Sequence, residues 1–166
     1  MDWLIRDAQP EDAAAIVHIF NPIIETGLYT AFDTPFSIEA ERNFIRDLPP
    51  RGIFHVAIHP TEQHIAGFQS MSPFPSDAAA FEHVGVMGTF VDLARRRQGI
   101  ARSLFAATFE AARRKGYKKI FTYVRADNPD ALAAYLSQGF RIVGTARQHA
   151  RIQDKYIDEI IIERLL

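Results

Sequence analysis

The chain of 166 residues contains no cysteine. This absence excludes disulfide bonds, thiolate metal ligands and a covalent acyl-enzyme formed on cysteine. The chain also lacks an apolar run near the ~18 residues of a membrane span, and its first residues carry acids without the apolar core of a secretory signal. We therefore expect a soluble protein, and a reducing cytoplasm fits the absence of cysteine.

An excess of one charge sign is also missing. The 19 basic and 20 acidic side chains give a net charge of −1, which provides no reason to expect nucleic acid or an anionic membrane as partner. The six histidines lack the paired spacing of metal ligands, so no metal site is predicted. The hydrophobic content of 48% suffices for an ordinary core, and the length predicts one domain over residues 1–166.

Apolar periodicity predicts alternating strands and helices in the order β-α-α-β-β-β-α-β-α-β-β. This order implies a mixed sheet with helices on both faces. The segment Asn21 to Phe36, with two prolines and a glycine, is expected to be partly helical, and the fourth strand to carry a bulge near Gly85 or Gly88. The predicted strands are 3–7, 53–59, 64–72, 81–91, 119–124, 140–145 and 156–163, and the predicted helices begin at Pro10, Ser37, Gln98 and Asn128.

An arginine-rich turn lies between the fourth predicted strand and the long third helix. It reads Arg96-Arg97-Gln98-Gly99-Ile100-Ala101, and no acid occurs between Leu93 and Phe109. The first N–H groups of a helix have no partner within it, and the helix dipole adds positive charge there. The turn is neither a nucleotide P-loop nor a dinucleotide fingerprint. It predicts a site for an anion such as a pyrophosphate, the alternative being a solvated basic turn.

A second motif opens the fourth predicted helix at Asn128-Pro129-Asp130. Asparagine as N-cap, proline at the first position and an acid at the second form a well-capped helix start, which by itself explains Asn128. Tyr135 follows two helical turns later, so both side chains can share one face. Tyr135 is then either a core aromatic or a group that gives its proton to a departing thiolate.

These two motifs carry a family resemblance. The run Thr89 to Leu104 resembles motif A of the GNAT superfamily of acetyl-CoA-dependent N-acetyltransferases, and the pattern from Asn128 through Tyr135 to Phe140 resembles its motif B. The resemblance implies an α/β (α+β) fold with a mixed, mostly antiparallel sheet that opens between its fourth and fifth strands. It also implies acetyl-CoA as cosubstrate, without a metal. Arg97 and Ala101 stand where the family often has glycine.

The resemblance also implies roles for individual residues. Backbone groups of Thr89 to Val91 would pair with pantetheine and polarise the acetyl carbonyl, and amides of Arg97 to Ser103 would hold the pyrophosphate. Asn128 would lie near the pantetheine arm, with Tyr135 beside the sulfur as general acid. The cofactor-binding set is Thr89, Phe90, Val91, Arg96, Arg97, Gln98, Gly99, Ile100, Ala101, Arg102, Ser103, Asn128 and Tyr135.

The acceptor half of the site has a weaker signature. The segment Asn21 to Thr34 resembles the phosphinothricin and methionine sulfoximine acetyltransferase branch, which implies an amino acid or related small amine as acceptor. Because relatives of this branch often pair, a homodimer is implied as well. Aromatic residues of the loops are candidates for the pocket wall: Tyr29, Phe32, Phe36 and Phe74.

A base is needed because an aliphatic amine, with a pKa near ~10, must lose a proton before it attacks. Glu25 is the first candidate, since it lies in the segment expected to wall the acceptor pocket, Glu82 is the second and His83 the third. Each is alternatively a solvated surface group.

Three functions remain open at this point. The first is transfer of an acetyl group to a small-molecule amine, which the proline- and aromatic-rich segment favours because it indicates a closed pocket. The second is acetylation of a protein N-terminus or lysine side chain, which would favour an open acidic groove. The third is a non-catalytic CoA-binding module.

Overall fold

The computed structural model describes residues 2–166 as one seven-stranded sheet with helices on both faces. Short 3₁₀ segments lie at Pro10–Asp12, Ala79–Phe81 and Leu93–Arg95. The strands are β1 (Leu4–Asp7), β2 (Ile53–Ile58), β3 (Ile65–Pro73), β4 (Val84–Val91), β5 (Lys119–Arg125), β6 (Arg141–Ile152) and β7 (Lys155–Leu165). The helices are α1 (Ala13–Glu25), α2 (Ile38–Arg46), α3 (Ile100–Arg114) and α4 (Pro129–Ser137).

The strand order in the sheet is β1-β2-β3-β4-β5-β7-β6. All neighbours pair antiparallel except β4 and β5, which are parallel and are connected through α3. The predicted element order and the mixed, mostly antiparallel sheet are therefore confirmed. None of the helices formed by residues 2–166 is long and apolar enough to cross a membrane.

Each face of the sheet has its own apolar core. Residues that alternate along β2 and β3, such as Phe54 and Phe68, pack under α1 with Phe20 and Ile23. On the opposite face the core includes Phe105 of α3 and Tyr135 of α4, packed over β4, β5 and β7. Helices α1 and α2 therefore cover one face of the sheet, and α3 and α4 cover the other.

The structure confirms that the segment Asn21 to Phe36 is partly helical, and it corrects the extent of β6. Helix α1 continues through Pro22 to Glu25, because burial of Ile23 and Ile24, each 1% exposed, outweighs the lost backbone hydrogen bond. Strand β6 extends to Ile152, well beyond the predicted end at Thr145. Its hairpin with β7 turns at residues 153 and 154, which both adopt positive φ as a two-residue turn requires.

The predicted bulge in β4 is also wrong. The pairing of β4 with β3 runs without a shift from Gly85 to Val91. Gly85 is instead a packing position, since a Cβ there would collide with Met71 and lie 3.2 Å from the Tyr117 ring. The strand also starts later than predicted, because Ala79–Phe81 form a 3₁₀ turn.

Candidate active site

The site begins where β4 and β5 separate. They pair only at Val84 with Lys119 and Gly85 with Ile120, whereas β4 stays paired with β3, and β5 with β7, along their other edges. The gap opens into a cavity of about 840 Å³, which lies in the size range of ligand sites. Its walls come from β4, β5, the start of α3, the inner face of α4 and the loop after α1.

The β4 edge that faces the gap offers backbone groups to a ligand. The Thr122 hydroxyl donates to the Met87 carbonyl at 2.8 Å, so that carbonyl points toward β5. Because backbone groups of alternate strand residues point the same way, those of Thr89 and Val91 also face the gap, where β5 no longer reaches them. An extended ligand with amide groups can pair there as an additional strand does.

The arginine-rich turn forms the end of the cavity at the start of α3. Arg97 and Gly99 both adopt left-handed backbone conformations, with φ of 62° and 81°. Helix α3 starts at Ile100 without a side-chain cap, so its first N–H groups are open to an anion. Arg96, Arg97 and Arg102 add positive charge along the same wall.

Two contacts hold this turn in place. The Trp3 indole Nε1 donates to the Gln98 carbonyl at 2.9 Å, and Trp3 itself is buried beneath the turn. The Arg95 guanidinium pairs with Glu62, which lies between β2 and β3, at 3.0 Å. The turn is therefore positioned by β1 and by the β2–β3 connection, neither of which adjoins it in sequence.

Helix α4 presents both motif residues to the cavity. Asn128 caps the helix, its Oδ1 accepting from the Ala131 N–H at 3.2 Å, and it also lines the cavity. Tyr135 packs edge-on against Phe105 and Phe140, at ring-centroid distances of 5.2 and 5.1 Å. The predicted N-cap is confirmed, and Tyr135 is at once a core aromatic and a cavity residue.

The Tyr135 hydroxyl belongs to a short polar chain. It lies 3.1 Å from the Thr89 hydroxyl, which accepts at 2.7 Å from Gln69 Nε2 on β3. Burial raises the pKa of Tyr135 to about 12, against the smaller opposing effect of its bond with Thr89. Tyr135 is therefore protonated at any physiological pH and can act as a proton donor but not as a base.

The opposite end of the cavity lies on the α1 and α2 face of the sheet. Tyr29, Phe32 and Phe74 line it as predicted, and Arg96 stacks over the Tyr29 ring at 4.1 Å. Phe36 does not line the cavity; it packs on Phe20 at 5.6 Å. This end combines aromatic walls with polar side chains, among them those of Thr30, Ser70 and Ser72.

Most of the predicted cofactor-binding residues meet along one cavity. Gln98 and Ser103 do not line it, since the Gln98 carbonyl accepts from Trp3 and the Ser103 N–H donates to the Gly99 carbonyl. The predicted residues that do line it are Thr89, Phe90, Val91, Arg96, Arg97, Gly99, Ile100, Ala101, Arg102, Asn128 and Tyr135.

The proposed bases do not share this placement. Glu25 and Glu82 are both exposed, and neither lines the cavity. Glu25 was expected in a pocket-walling loop, but the extension of α1 places it at the end of a helix. His83 is also exposed and outside the lining. The structure thus gives none of the three a contact with the reaction site.

Sequence reasoning missed two buried charged residues that line the cavity, Arg125 and Glu159. Both are buried, with 6% and 7% exposure. A signal for Glu159 exists in the sequence: strand alternation places it on the same face of β7 as Ile157 and Ile161, an apolar context for a carboxylate. Arg125 follows the apolar run of β5 and gives no such signal.

Comparison with known proteins agrees with this architecture. Residues 17–140 match the model of the acetyltransferase (GNAT) family. Among characterised proteins, phosphinothricin N-acetyltransferase of Streptomyces coelicolor is 27% identical over 165 residues, covering 98% of this chain and 95% of that protein. Human N-acetyltransferase 8 matches a shorter part, 29% identical over 84 residues, or 51% of this chain and 37% of that protein.

Solved structures share the fold over nearly the whole chain. A ribosomal-protein-alanine N-acetyltransferase from Brucella melitensis superposes with a TM-score of 0.88 at 28% identity, covering 98% of this chain and 99% of that one. A phosphinothricin acetyltransferase from Sinorhizobium meliloti, crystallised with acetyl-CoA, superposes with a TM-score of 0.90 at 18% identity, covering 100% and 89%. The chain belongs to the GNAT family and is an N-acetyltransferase that uses acetyl-CoA.

Proposed function

We propose that this enzyme transfers the acetyl group of acetyl-CoA directly to the primary amine of a small molecule, in particular an amino acid or amino-acid analogue. One observation carries the proposal: a single cavity connects the anion-binding turn, Tyr135 and an aromatic pocket on the far side of the sheet. The Streptomyces coelicolor relative, aligned over 98% of this chain, supports an acceptor of this class.

The residues on the cavity wall fit the parts of acetyl-CoA. The N–H groups that begin α3, with Arg97 and Arg102, would hold the pyrophosphate, and backbone groups of Thr89 and Val91 would pair with the pantetheine arm. The open gap beside β4 and the uncapped helix start are what such a ligand requires. When bound, acetyl-CoA supplies the activated acetyl group as a thioester.

The chain itself supplies proton transfer and positioning. Tyr135, protonated and buried, would donate a proton to the sulfur, and the Thr89 hydroxyl, supported by Gln69, would fix the orientation of the Tyr135 hydroxyl. An N–H group of β4 at the gap would polarise the acetyl carbonyl. Direct transfer is the simplest route, and an acyl-enzyme on cysteine is excluded because the chain contains no cysteine.

A second candidate is acetylation of a protein N-terminus. The Brucella melitensis structure named for ribosomal-protein alanine acetylation, at 28% identity, favours it. The aromatic wall of the acceptor end, formed by Tyr29, Phe32 and Phe74, favours the small molecule instead. A homodimer and a cytoplasmic location remain predictions from the resemblance and from the absence of cysteine.

The test is release of free thiol from acetyl-CoA with a panel of acceptors: phosphinothricin, methionine sulfoximine, methionine, spermidine and a peptide with N-terminal alanine. We expect the highest kcat/KM among the amino acids and their analogues. Turnover of the peptide alone would replace the proposal by the second candidate. No turnover with any amine, at CoA concentrations that saturate the site, would contradict both.

A further inference from the structure

Glu159 is a buried carboxylate without a protein partner. It lies in the middle of β7, is 7% exposed and lines the cavity. No hydrogen bond or ion pair within residues 2–166 reaches its side-chain oxygens, unlike those of Glu163 further along the same strand. A carboxylate is rarely buried unless it is paired, because leaving water without a partner costs free energy. A cationic ligand group in the cavity would compensate this cost.

The register of the sheet places Glu159 at the acceptor end. Glu159 is the direct cross-strand partner of Arg125, so both side chains lie on the same face. The Arg125 guanidinium donates to the carbonyls of Gly27 and Thr30 in the loop after α1, which identifies that face. Tyr135 belongs to the opposite face with α4. The gap between β4 and β5 connects the two sides.

Arg125 makes no hydrogen bond to Glu159, although its charge favours the ionised carboxylate. Its Nε and Nη2 donate to both Asp127 oxygens at 2.8 and 2.7 Å, and its Nη1 donates to the two loop carbonyls. Four of its five N–H donors are therefore occupied, and its charge is balanced by Asp127. Aromatic rings line the same cavity, among them Phe32, Phe74 and Tyr123. One unpaired carboxylate among aromatic faces is a typical environment for an ammonium group.

We propose that Glu159 binds the ammonium group of the acceptor and receives the proton that the amine must lose before it attacks. This inference rests on the proposed function and refines it by naming the residue that binds the amino group of the acceptor. In the reaction the amine nitrogen bonds to the acetyl carbon and the carbon–sulfur bond breaks. One ammonium proton passes to Glu159 before the attack, and the Tyr135 proton passes to sulfur. The second proton, which the nitrogen loses as the amide forms, returns to Tyr135.

The charges around Glu159 suit this role. Burial raises the pKa of Glu159, while His149 and Arg125 act in the opposite direction and Asp127 adds to the rise. His149, Arg125 and Asp127 are thus the charged groups that act on Glu159 from β6, β5 and the loop after β5, and Tyr123, which packs on His149, lines the same cavity. A raised pKa makes a carboxylate a better proton acceptor, and an amine with a pKa of ~10 arrives protonated at neutral pH.

Binding tests the ammonium site without requiring turnover. In the presence of CoA, we expect 2-phenylethylamine to bind more tightly than the neutral 2-phenylethanol in isothermal titration calorimetry. Glu159→Gln should weaken the amine about tenfold or more and leave the alcohol unchanged, since only the charge is removed. Equal losses for both ligands, or no preference for the amine in the unmodified enzyme, would overturn the proposal.

Kinetics with the best acceptor of the panel test the proton transfer. Glu159→Gln should lower kcat about 10²-fold at pH 7, and its residual rate should rise with pH up to the pKa of the amine, ~10. Glu159→Asp should restore part of the rate, and the affinity for CoA should stay unchanged in both variants. The matched control is Glu39→Gln, an exposed glutamate in the first turn of α2.

The outcomes separate this inference from the proposed function. A loss of rate in Glu25→Gln or Glu82→Gln, with Glu159→Gln fully active, would assign the base elsewhere and overturn the inference while leaving amine acetylation intact. Absence of turnover with every amine would contradict the proposed function, and the binding result for 2-phenylethylamine would still decide whether Glu159 forms an ammonium site.

Discussion

Tyr135 combines a packing role with the placement that the proposed proton transfer requires. Its ring fills the core between Phe105 and Phe140, while its hydroxyl meets Thr89 at the cavity wall. Burial accounts for both properties, because it fixes the ring and also raises the pKa of the hydroxyl. The packing interpretation and the catalytic interpretation of this tyrosine are therefore compatible.

At the residue scale, Tyr135→Phe should lower kcat about 10²-fold and leave the Kd for CoA unchanged, because the ring still packs and only the proton donor is lost. The pKa of about 12 also means that ionisation of Tyr135 will not reduce kcat as pH rises to 9. Steady-state kinetics and calorimetry measure both quantities.

Tyr117→Phe is the control, since the Tyr117 hydroxyl is bonded to the Arg51 carbonyl outside the cavity. It should cost about 1 kcal/mol of stability with no effect on kcat. An equal loss of kcat in both variants would remove Tyr135 from the acid role.

At the element scale, we expect the close packing around β4 to depend on the missing side chain at Gly85. Gly85 lies against Met71 and Tyr117, so Gly85→Ala should destabilise the fold by about 1–3 kcal/mol through overpacking. Gly144→Ala in β6, where no atom lies within 4 Å of the added Cβ, should change stability by less than about 0.5 kcal/mol. Urea unfolding of both variants measures the change in the free energy of unfolding. Equal changes in the two variants would contradict the packing role of Gly85.

The arginine-rich turn depends on an element remote in sequence. Trp3→Phe removes the donor to the Gln98 carbonyl, a bond of about 0.5–1.5 kcal/mol, and should raise the Kd for CoA several-fold while kcat is unchanged. Titration calorimetry at a temperature where both proteins are folded measures the change. If stability falls and CoA affinity does not, Trp3 supports the core and not the turn.

At the scale of the whole molecule, the cavity interrupts the sheet, so ligand binding should stabilise the fold. CoA at about 100 times its Kd contributes about 2.7 kcal/mol, which for a domain of this size corresponds to a rise in Tm of about 5–10 °C. Differential scanning calorimetry with and without CoA checks this. Gly99→Val places a β-branched residue at a φ of 81°, which strains the turn. This variant should fold but lose most of the rise in Tm that CoA causes. An undiminished rise would mean that the pyrophosphate binds elsewhere.

Local patterns were sufficient for most of the fold. Capping residues predicted the starts of α2 and α4 at Ser37 and Asn128, and both side chains accept a backbone N–H as expected. Tertiary burial also outweighed a local signal at Pro22, which lies inside α1 because the isoleucines that follow it are buried. The bulge predicted near Gly85 is absent. Gly85 instead leaves room for Met71 and the Tyr117 ring, which pack against it.

The sequence by itself determined the donor side of this protein, because the turn at Arg96 to Ala101 and the helix from Asn128 to Tyr135 are local motifs whose residues are close in the chain. Only the tertiary structure decided the acceptor side. Glu159 and Arg125 lie 34 residues apart and become neighbours through strand register, and Trp3 reaches Gln98 across 95 residues. Contacts of that kind depend on pairing and burial, which no single stretch of sequence encodes.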